Sequence, residues 1–168
     1  MTELLSFDLG ANNTLADARI LLDSGPPRCL YKVNPRLIFG KVWWDEVRKW
    51  AYTKYNNSCA ACGRPRCRLE AHELYDVDTK KGRITVKDIV PLCYDCHSFI
   101  HQDMHKSLLK QGVLKFSDVQ RIIAHGKSVL KKAKVRCVRK DPNTSKVSAE
   151  DWRLVLNGTE YPPIPKEK

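Results

Sequence analysis

Two Cys-x-x-Cys pairs are the most distinctive chemical feature of this sequence. Cys59 and Cys62 form the first pair, and Cys93 and Cys96 form the second. Each pair can present two thiolates from one tight turn, and two such turns together give the tetrahedral sulfur site that structural Zn2+ prefers. The pattern therefore predicts a structural zinc bound by these four cysteines, rather than four unrelated buried thiols. Because a site with four protein ligands has no open position, we expect it to stabilise the fold and not to catalyse.

The remaining cysteines and the N-terminus bear on the cellular compartment. Cys67 lies close enough to compete as a zinc ligand, whereas Cys29 and Cys137 are interpreted as small hydrophobic residues. The total of seven cysteines is odd, which argues against a disulfide framework. The sequence MTELLSFDLG lacks the features of a signal peptide, and no run of about 18 apolar residues could form a membrane span. We therefore expect a cytoplasmic protein in a reducing environment.

Four of the five histidines lie close to the cysteine pairs. His72 lies between the two pairs, and His97, His101 and His105 follow the second pair. The last three are at positions i, i+4 and i+8, so we expect them along one face of a helix that begins at Cys96. This concentration of imidazoles indicates a second metal site beside the zinc.

The order of these residues resembles the HNH, or ββα-metal, endonucleases, in the zinc-knuckle subgroup common in bacteria and phages. Residues 87–101, KDIVPLCYDCHSFIH, are close to that family's N-L-V-x-L-C-x-x-C-H-x-x-x-H segment. The stretches LEAHELYDVD and NPRLIFGKVWWDEVRKWAY are similar to the same subgroup. The resemblance covers roughly residues 34–105. It implies an α+β fold in which a small ββα-metal core is held together by the four-cysteine zinc site and flanked by helices.

The resemblance also implies an activity and its metal ion. Members of the family hydrolyse phosphodiester bonds in DNA, and one divalent ion, Mg2+, Mn2+ or Ni2+, stabilises the charge that develops on the phosphate. His97 matches the ligand on the family's helix, and His101 is a further candidate ligand. Asp88 replaces the family's middle Asn, where it could add a metal ligand or repel the phosphate. The implied partner is DNA.

The strand position of the family motif can be aligned in two ways. In one alignment His72 is the metal ligand and Glu73 is the general base that accepts a proton from water. A shift by one residue makes His72 the base and leaves Ala71 at the ligand position. A Glu base requires a raised pKa, whereas a neutral imidazole is better matched to neutral pH. We take His72 and Glu73 as the working pair with their roles open.

The charge distribution agrees with a polyanionic partner. The formal net charge is +11, and much of the positive charge lies between Lys106 and Lys140. Contacts of such side chains to phosphates are independent of base sequence and sensitive to salt. The candidate nucleic-acid contacts are three arginines beside the first cysteine pair and two lysines on a basic helix: Arg64, Arg66, Arg68, Lys127 and Lys131.

These side chains must be positioned by a small set of predicted elements. Three regions are expected, namely an N-terminal extension (1–33), the nuclease core with a preceding helix (34–105) and a basic helical C-terminal extension (106–168). Periodicity, caps and turn residues predict the elements within them. They are a short helix over 15–22, an amphipathic helix over 40–55, strands over 68–75 and 83–86, a helix from Asp95, a basic helix over 117–133 capped by Ser117, a short helix over 149–156 capped by Ser148, and a loose Pro-rich end.

Two other functions are compatible with the sequence. The first is a zinc-stabilised nucleic-acid-binding module without catalysis, which Asp88 and the single histidine of the strand would favour. It predicts binding without cleavage. The second is a protein-interaction or inhibitor protein whose basic surface meets an acidic partner. It predicts tight protein binding without salt-sensitive affinity for DNA.

Overall fold

A four-stranded sheet and four α-helices form the part of the chain that the computed structural model describes, residues 15–139 and 141–165. The helices are α1 (Pro35–Lys54), α2 (Tyr94–Ile100), α3 (His105–Lys110) and α4 (Phe116–Lys132). The strands are β1 (Leu69–Asp78), β2 (Arg83–Cys93), β3 (Arg153–Leu156) and β4 (Thr159–Tyr161). Short 3-10 helices cover Ala18–Leu22, Arg28–Leu30, Gln102–Met104, Pro142–Thr144 and Ala149–Asp151. The predicted α+β class is confirmed.

The β1–β2 hairpin brings the chemically important segments together. The strands follow the order β1-β2-β3-β4, with β1 antiparallel to β2, β3 parallel to β2, and β4 antiparallel to β3. Leu69 is opposite Cys93, and His72 is opposite Val90. The start of β1 therefore lies beside the second cysteine pair, where β2 ends and α2 begins. Both strands are longer than predicted, since they extend to Asp78 and Cys93.

Helix α1 begins earlier than the predicted start at Gly40. The Asn34 side chain accepts a hydrogen bond from the Leu37 N–H (3.0 Å), and Pro35 occupies the first helical position. This is a favourable helix start, because the cap pairs a backbone N–H that has no partner within the helix. Proline has no N–H that would be left unpaired at the first position. Gly40, at φ 82°, interrupts the helix between its first turn and the rest. Asn34 and Pro35 therefore start the helix five residues before Gly40.

Two clusters of buried side chains lie on the two faces of the sheet. The first joins β2 to α2, α4 and the 3-10 helix at Ala18–Leu22 through residues such as Leu92, Ile100 and Ile122. The second joins the other face to α1, β3 and the segment around Leu30. The partly buried tryptophans of α1 pack against this second cluster. Parts of both terminal extensions therefore contribute to the core.

The C-terminal region contains a strand where we predicted a helix. Only Ala149–Asp151 is helical, as a single 3-10 turn, and β3 follows at Arg153. Trp152, Leu154 and Leu156 are buried in alternation, which is the period of a strand. Pairing of β3 with β2 buries these residues, and this tertiary contact outweighs the helical pattern of the short segment. Part of the Pro-rich end is also ordered, since Tyr161 belongs to β4.

The basic helix α4 is close to its predicted bounds. It begins at Phe116, and the Lys115 N–H donates to the Asp118 carboxylate (3.0 Å), so Lys115 rather than Ser117 is the cap residue. Within 15–139 and 141–165, no helix is both long enough and apolar enough to cross a membrane.

Gly126 allows α4 to pack closely on α2. A Cβ atom at this position would overlap the ring of Phe99. At an exposed helical position, replacement of glycine by alanine stabilises a helix by about 1 kcal/mol. Gly126→Ala is instead expected to lower the free energy of unfolding by about 1–3 kcal/mol, because the ring must move in a packed core. Urea denaturation measures this, with Ser128→Ala on the exposed side of α4 as the control. Unchanged or increased stability of Gly126→Ala would contradict the packing described.

Candidate functional site

The four predicted zinc ligands form one cluster. The sulfur atoms of Cys59, Cys62, Cys93 and Cys96 all lie within 4.8 Å of one another, an arrangement that could hold a metal such as zinc. The first pair lies in a turn closed by a hydrogen bond from the Gly63 N–H to the Cys59 carbonyl (2.8 Å), with Gly63 at φ 72°. The second pair begins at the N-cap of α2 and continues into its first turn. The two turns therefore converge as the spacing predicts.

The crowding of four sulfurs determines their protonation. Hydrogen bonds from Cys62, Cys93 and Cys96 lower the pKa of Cys59. Hydrogen bonds to Cys59 and then Cys62 raise the pKa values of Cys93 and Cys96. The pKa of Cys62 is also lowered, because the opposing effect of Cys59 is outweighed by Cys93 and Cys96 together, so the first pair favours the thiolate form more than the second. A divalent cation would replace the thiol protons and allow all four sulfurs to ionise, as in structural zinc sites.

Helix α4 supports the cysteine cluster from outside. His125 Nε2 lies 3.3 Å from Cys96 Sγ. Asp95, inside the second cysteine pair, is buried and accepts hydrogen bonds from Arg64 (3.3 Å) and from Arg121. These contacts fix the orientation of the second pair. Cys67 is not part of the cluster; its thiol donates to the Arg64 carbonyl (3.4 Å).

Three histidines form a second cluster. The ligand nitrogens of His72, His97 and His101 lie within 4.8 Å of one another, and their ring centroids are 4.8–5.3 Å apart. His72 comes from β1, while His97 and His101 come from the end of α2 and the residue that follows it. A set of three imidazoles can bind a divalent ion such as Zn2+, Mn2+ or Ni2+.

The prediction that His105 lies on the same helix face is wrong. Helix α2 ends at Ile100, and the chain passes through the 3-10 turn Gln102–Met104 before α3 begins at His105. Because the chain leaves the axis of α2 after Ile100, His105 does not lie on the same helix face as His97. The His105 ring is buried and its Nε2 bonds to the carbonyl of Ser98 (2.9 Å).

Two carboxylates orient the histidine cluster. His97 Nδ1 lies 2.6 Å from Glu70 Oε2, and His72 Nε2 lies 3.0 Å from Asp23 Oδ2. The Asp23 and His72 side chains are each only 2% exposed, and Asp23 also accepts from the Tyr75 N–H (3.2 Å). A carboxylate on one ring nitrogen fixes the ring and leaves the other nitrogen for a cation, the usual second layer of metal-binding histidines.

The cluster favours neutral imidazoles. Burial, followed by the charges of His72 and His97, lowers the pKa of His101 to about 3. Burial also lowers the pKa of His97, against the opposing effect of Glu70. A neutral imidazole has a free lone pair, so both rings are in the form that binds a metal ion at neutral pH.

A cavity of about 300 Å³ opens beside the histidines. Its lining includes His72, Glu73, His101, Asn34 and Arg139. Burial raises the pKa of Glu73, which brings its protonation closer to neutral pH. Glu73 thus contributes a carboxyl group with a raised pKa to the lining of this cavity.

Asp88 is held outside the histidine cluster. Its carboxylate accepts hydrogen bonds from Lys54 Nζ (2.8 Å) and from the Ile89 N–H (2.8 Å), and the Tyr55 hydroxyl lies 3.5 Å away. Lys54 is buried, so the ion pair is shielded from water. The charge of Asp88 is therefore offset by Lys54 and does not face a phosphate unpaired.

The predicted nucleic-acid contacts lie on the surface. Arg66, Arg68, Lys127 and Lys131 are exposed, and Arg64 is partly engaged by Asp95. Lys140, at the end of the basic segment, is outside the described residues. DNA contact by these side chains stays a prediction.

Three supporting residues were not assigned a role from sequence. Glu70 shares a strand face with His72, and that spacing could have suggested a carboxylate partner. His125 follows Ile122 at helical spacing, which places it on the buried side of α4. Asp23 has no local signal, because it meets His72 only through the tertiary fold.

Comparison with protein families, with curated proteins and with solved structures gave no match.

Removal of one sulfur tests the cysteine site. Structural zinc contributes about 10–16 kcal/mol to folding in small zinc domains. Cys93→Ser is therefore expected to lose stoichiometric zinc, measured by mass spectrometry of the metal, and to unfold at a much lower temperature. The exposed Cys137 provides the control, because Cys137→Ser should keep both zinc and stability. Zinc content equal to wild type in Cys93→Ser would refute the four-sulfur site.

The Asp23–His72 pair makes a separate prediction about the histidine site. Asp23→Asn is expected to weaken Mn2+ or Ni2+ binding by about 10- to 100-fold, because the His72 ring loses its anionic partner. Isothermal titration calorimetry measures the affinity. Asp76→Asn is the control, because it removes an exposed carboxylate from β1, the strand that carries His72. This variant should bind the metal ion with the affinity of wild type. Equal affinity in both variants would exclude a role for Asp23 in orienting the ring.

Proposed function

We propose that this protein is a metal-dependent endonuclease of the HNH type that hydrolyses phosphodiester bonds in DNA. The main support is the convergence of His72 from the β-hairpin with His97 and His101 from the following helix, beside a cavity that also contains Glu73. A zinc site alone would need only the cysteines. The three histidines bring their ring nitrogens together and carboxylates orient two of the rings, an arrangement suited to a divalent cation.

The residues divide the chemistry among them. When bound, a divalent ion supplies a Lewis acid that offsets the charge developing on the phosphate and its leaving oxygen. His72, His97 and His101 would hold that ion, and Asp23 and Glu70 orient two of the rings. Of the two alignments considered, the one with His72 as ligand agrees with this cluster.

Glu73 is then the general base. Its carboxylate takes a proton from the attacking water, whose oxygen bonds to phosphorus while the bond from phosphorus to the deoxyribose oxygen breaks. The leaving oxygen takes a proton from solvent. The raised pKa of Glu73 supports this role, because a base works best when its pKa approaches the working pH. Asp88 serves the fold through its ion pair with Lys54 and is not a ligand.

The charge of the chain supports DNA as the substrate. A net charge of +11 favours association with a polyanion, and the exposed Lys127 and Lys131 of α4 offer contacts to phosphates away from the cavity. The zinc has a structural role in this proposal, and the ion at the histidines has the catalytic one.

A nucleic-acid-binding module without catalysis is the second candidate function. It is favoured by the pairing of Asp88 with Lys54 and by a glutamate next to His72 on the strand. In this case the basic surface binds nucleic acid and the histidines bind a cation without turnover.

Plasmid nicking distinguishes the two. The wild-type protein with Mn2+ is expected to nick supercoiled DNA, and EDTA is expected to stop it. Glu73→Gln should reduce the rate by about 100- to 10,000-fold, because the base is lost while the metal ligands remain. Glu46→Gln, an exposed change on α1, is the matched control and should cleave like wild type. Salt-sensitive DNA binding with no cleavage under Mg2+, Mn2+ or Ni2+ would overturn the nuclease proposal in favour of the binding module.

A further inference from the structure

Arg139 donates hydrogen bonds to the backbone next to two residues of the histidine site, His101 and Asp23. It lies in the segment that follows α4. Its Nη1 donates to the carbonyl of Ile100 (2.7 Å), which precedes His101, and its Nη2 donates to the carbonyl of Ser24 (3.3 Å), which follows Asp23. The guanidinium is thus held at the junction of the C-terminal and N-terminal extensions with the core.

Arg139 also lines the cavity that contains Glu73, and a second cavity of about 430 Å³ that shares part of its wall. Arginine has five N–H donors in a planar fork, and the two backbone contacts use two of them. Across 15–139 and 141–165, Arg139 forms no salt bridge with an acidic side chain. A half-buried, positively charged donor without an acidic partner is suited to an anionic ligand.

The acidic groups of the same region limit which anion can enter. Glu73 and Asp103 line the first cavity, and Asp141 lines the second. An anion approaching Glu73 is repelled unless positive charge lies on its other side. Arg139 and a cation at the histidines would supply that charge from two directions. A tetrahedral phosphodiester has two nonbridging oxygens, so one can face each cation.

We propose that Arg139 binds a nonbridging oxygen of the scissile phosphodiester in this cavity. The proposal rests on the nuclease function above and adds a substrate-contacting residue from outside the region that resembles the HNH family. Arg139 holds the phosphate beside the histidines and stabilises the charge that builds on its oxygens during attack by water. The backbone tethers keep the guanidinium in position before substrate binds.

Hydrolysis of bis(p-nitrophenyl) phosphate with Mn2+ tests this role without the rest of the DNA surface. Arg139→Gln is expected to lower kcat/KM by about 100- to 1,000-fold, with an Mn2+ affinity like that of wild type. Arg139→Lys, which keeps the positive charge but not the planar set of N–H donors, should show an intermediate loss of kcat/KM. Added guanidinium ion should restore part of the activity of Arg139→Ala. Arg136→Gln, in the same basic segment and exposed, should behave like wild type.

The outcomes separate this inference from the proposed function. Activity of all Arg139 variants equal to wild type would overturn the inference and leave the nuclease proposal intact. The inference would also be overturned if Arg139→Gln and Arg139→Lys both lost activity together with Mn2+ binding and had a lowered Tm. Arg139 would then have a structural role. A wild-type protein that cleaves neither this diester nor plasmid DNA would overturn the nuclease function first, and the role of Arg139 with it.

Discussion

The convergence of four cysteine sulfurs is the constraint on which the rest of this structure depends. The first pair lies in a turn before β1, and the second links the end of β2 to the start of α2. Four thiolates this close repel one another, and a metal ion such as zinc, which the cluster could hold, would relieve that repulsion. Once the two turns are joined, the direction of α2 is determined. His97 and His101, one turn apart, then meet His72 on the neighbouring strand.

The segments outside the cysteine and histidine motif complete both clusters. Asp23 reaches the His72 ring from the N-terminal side, and His125 approaches Cys96 from α4. Arg139 connects the C-terminal segment to the same region. The division into core and extensions describes the sequence, but the site is assembled from all three parts. Loss of either extension would therefore affect the site chemically as well as the stability of the core.

The parts of the site that were predictable depend on short-range spacing. The cysteine pairs and the i, i+4 relation of His97 and His101 are properties of one turn, so sequence spacing determines them. His105 was misplaced because its position depends on where α2 ends, and helix ends are set by tertiary contacts. The strand β3 was mistaken for a helix since only its pairing with β2 distinguishes the two. The contact of Asp23 with His72 joins distant segments, and no local pattern contains it.

We propose that one chain holds two metal sites of different chemistry, one of sulfur and one of imidazole. Anomalous diffraction from crystals grown with Mn2+, recorded at the zinc and manganese edges, tests it most directly. We expect a zinc peak about 2.3 Å from each of the four sulfurs. A separate manganese peak is expected about 2.0–2.3 Å from nitrogens of His72, His97 and His101. Zinc at the cysteines with no ion among the histidines at saturating Mn2+ would contradict the claim and remove the basis for metal-dependent cleavage.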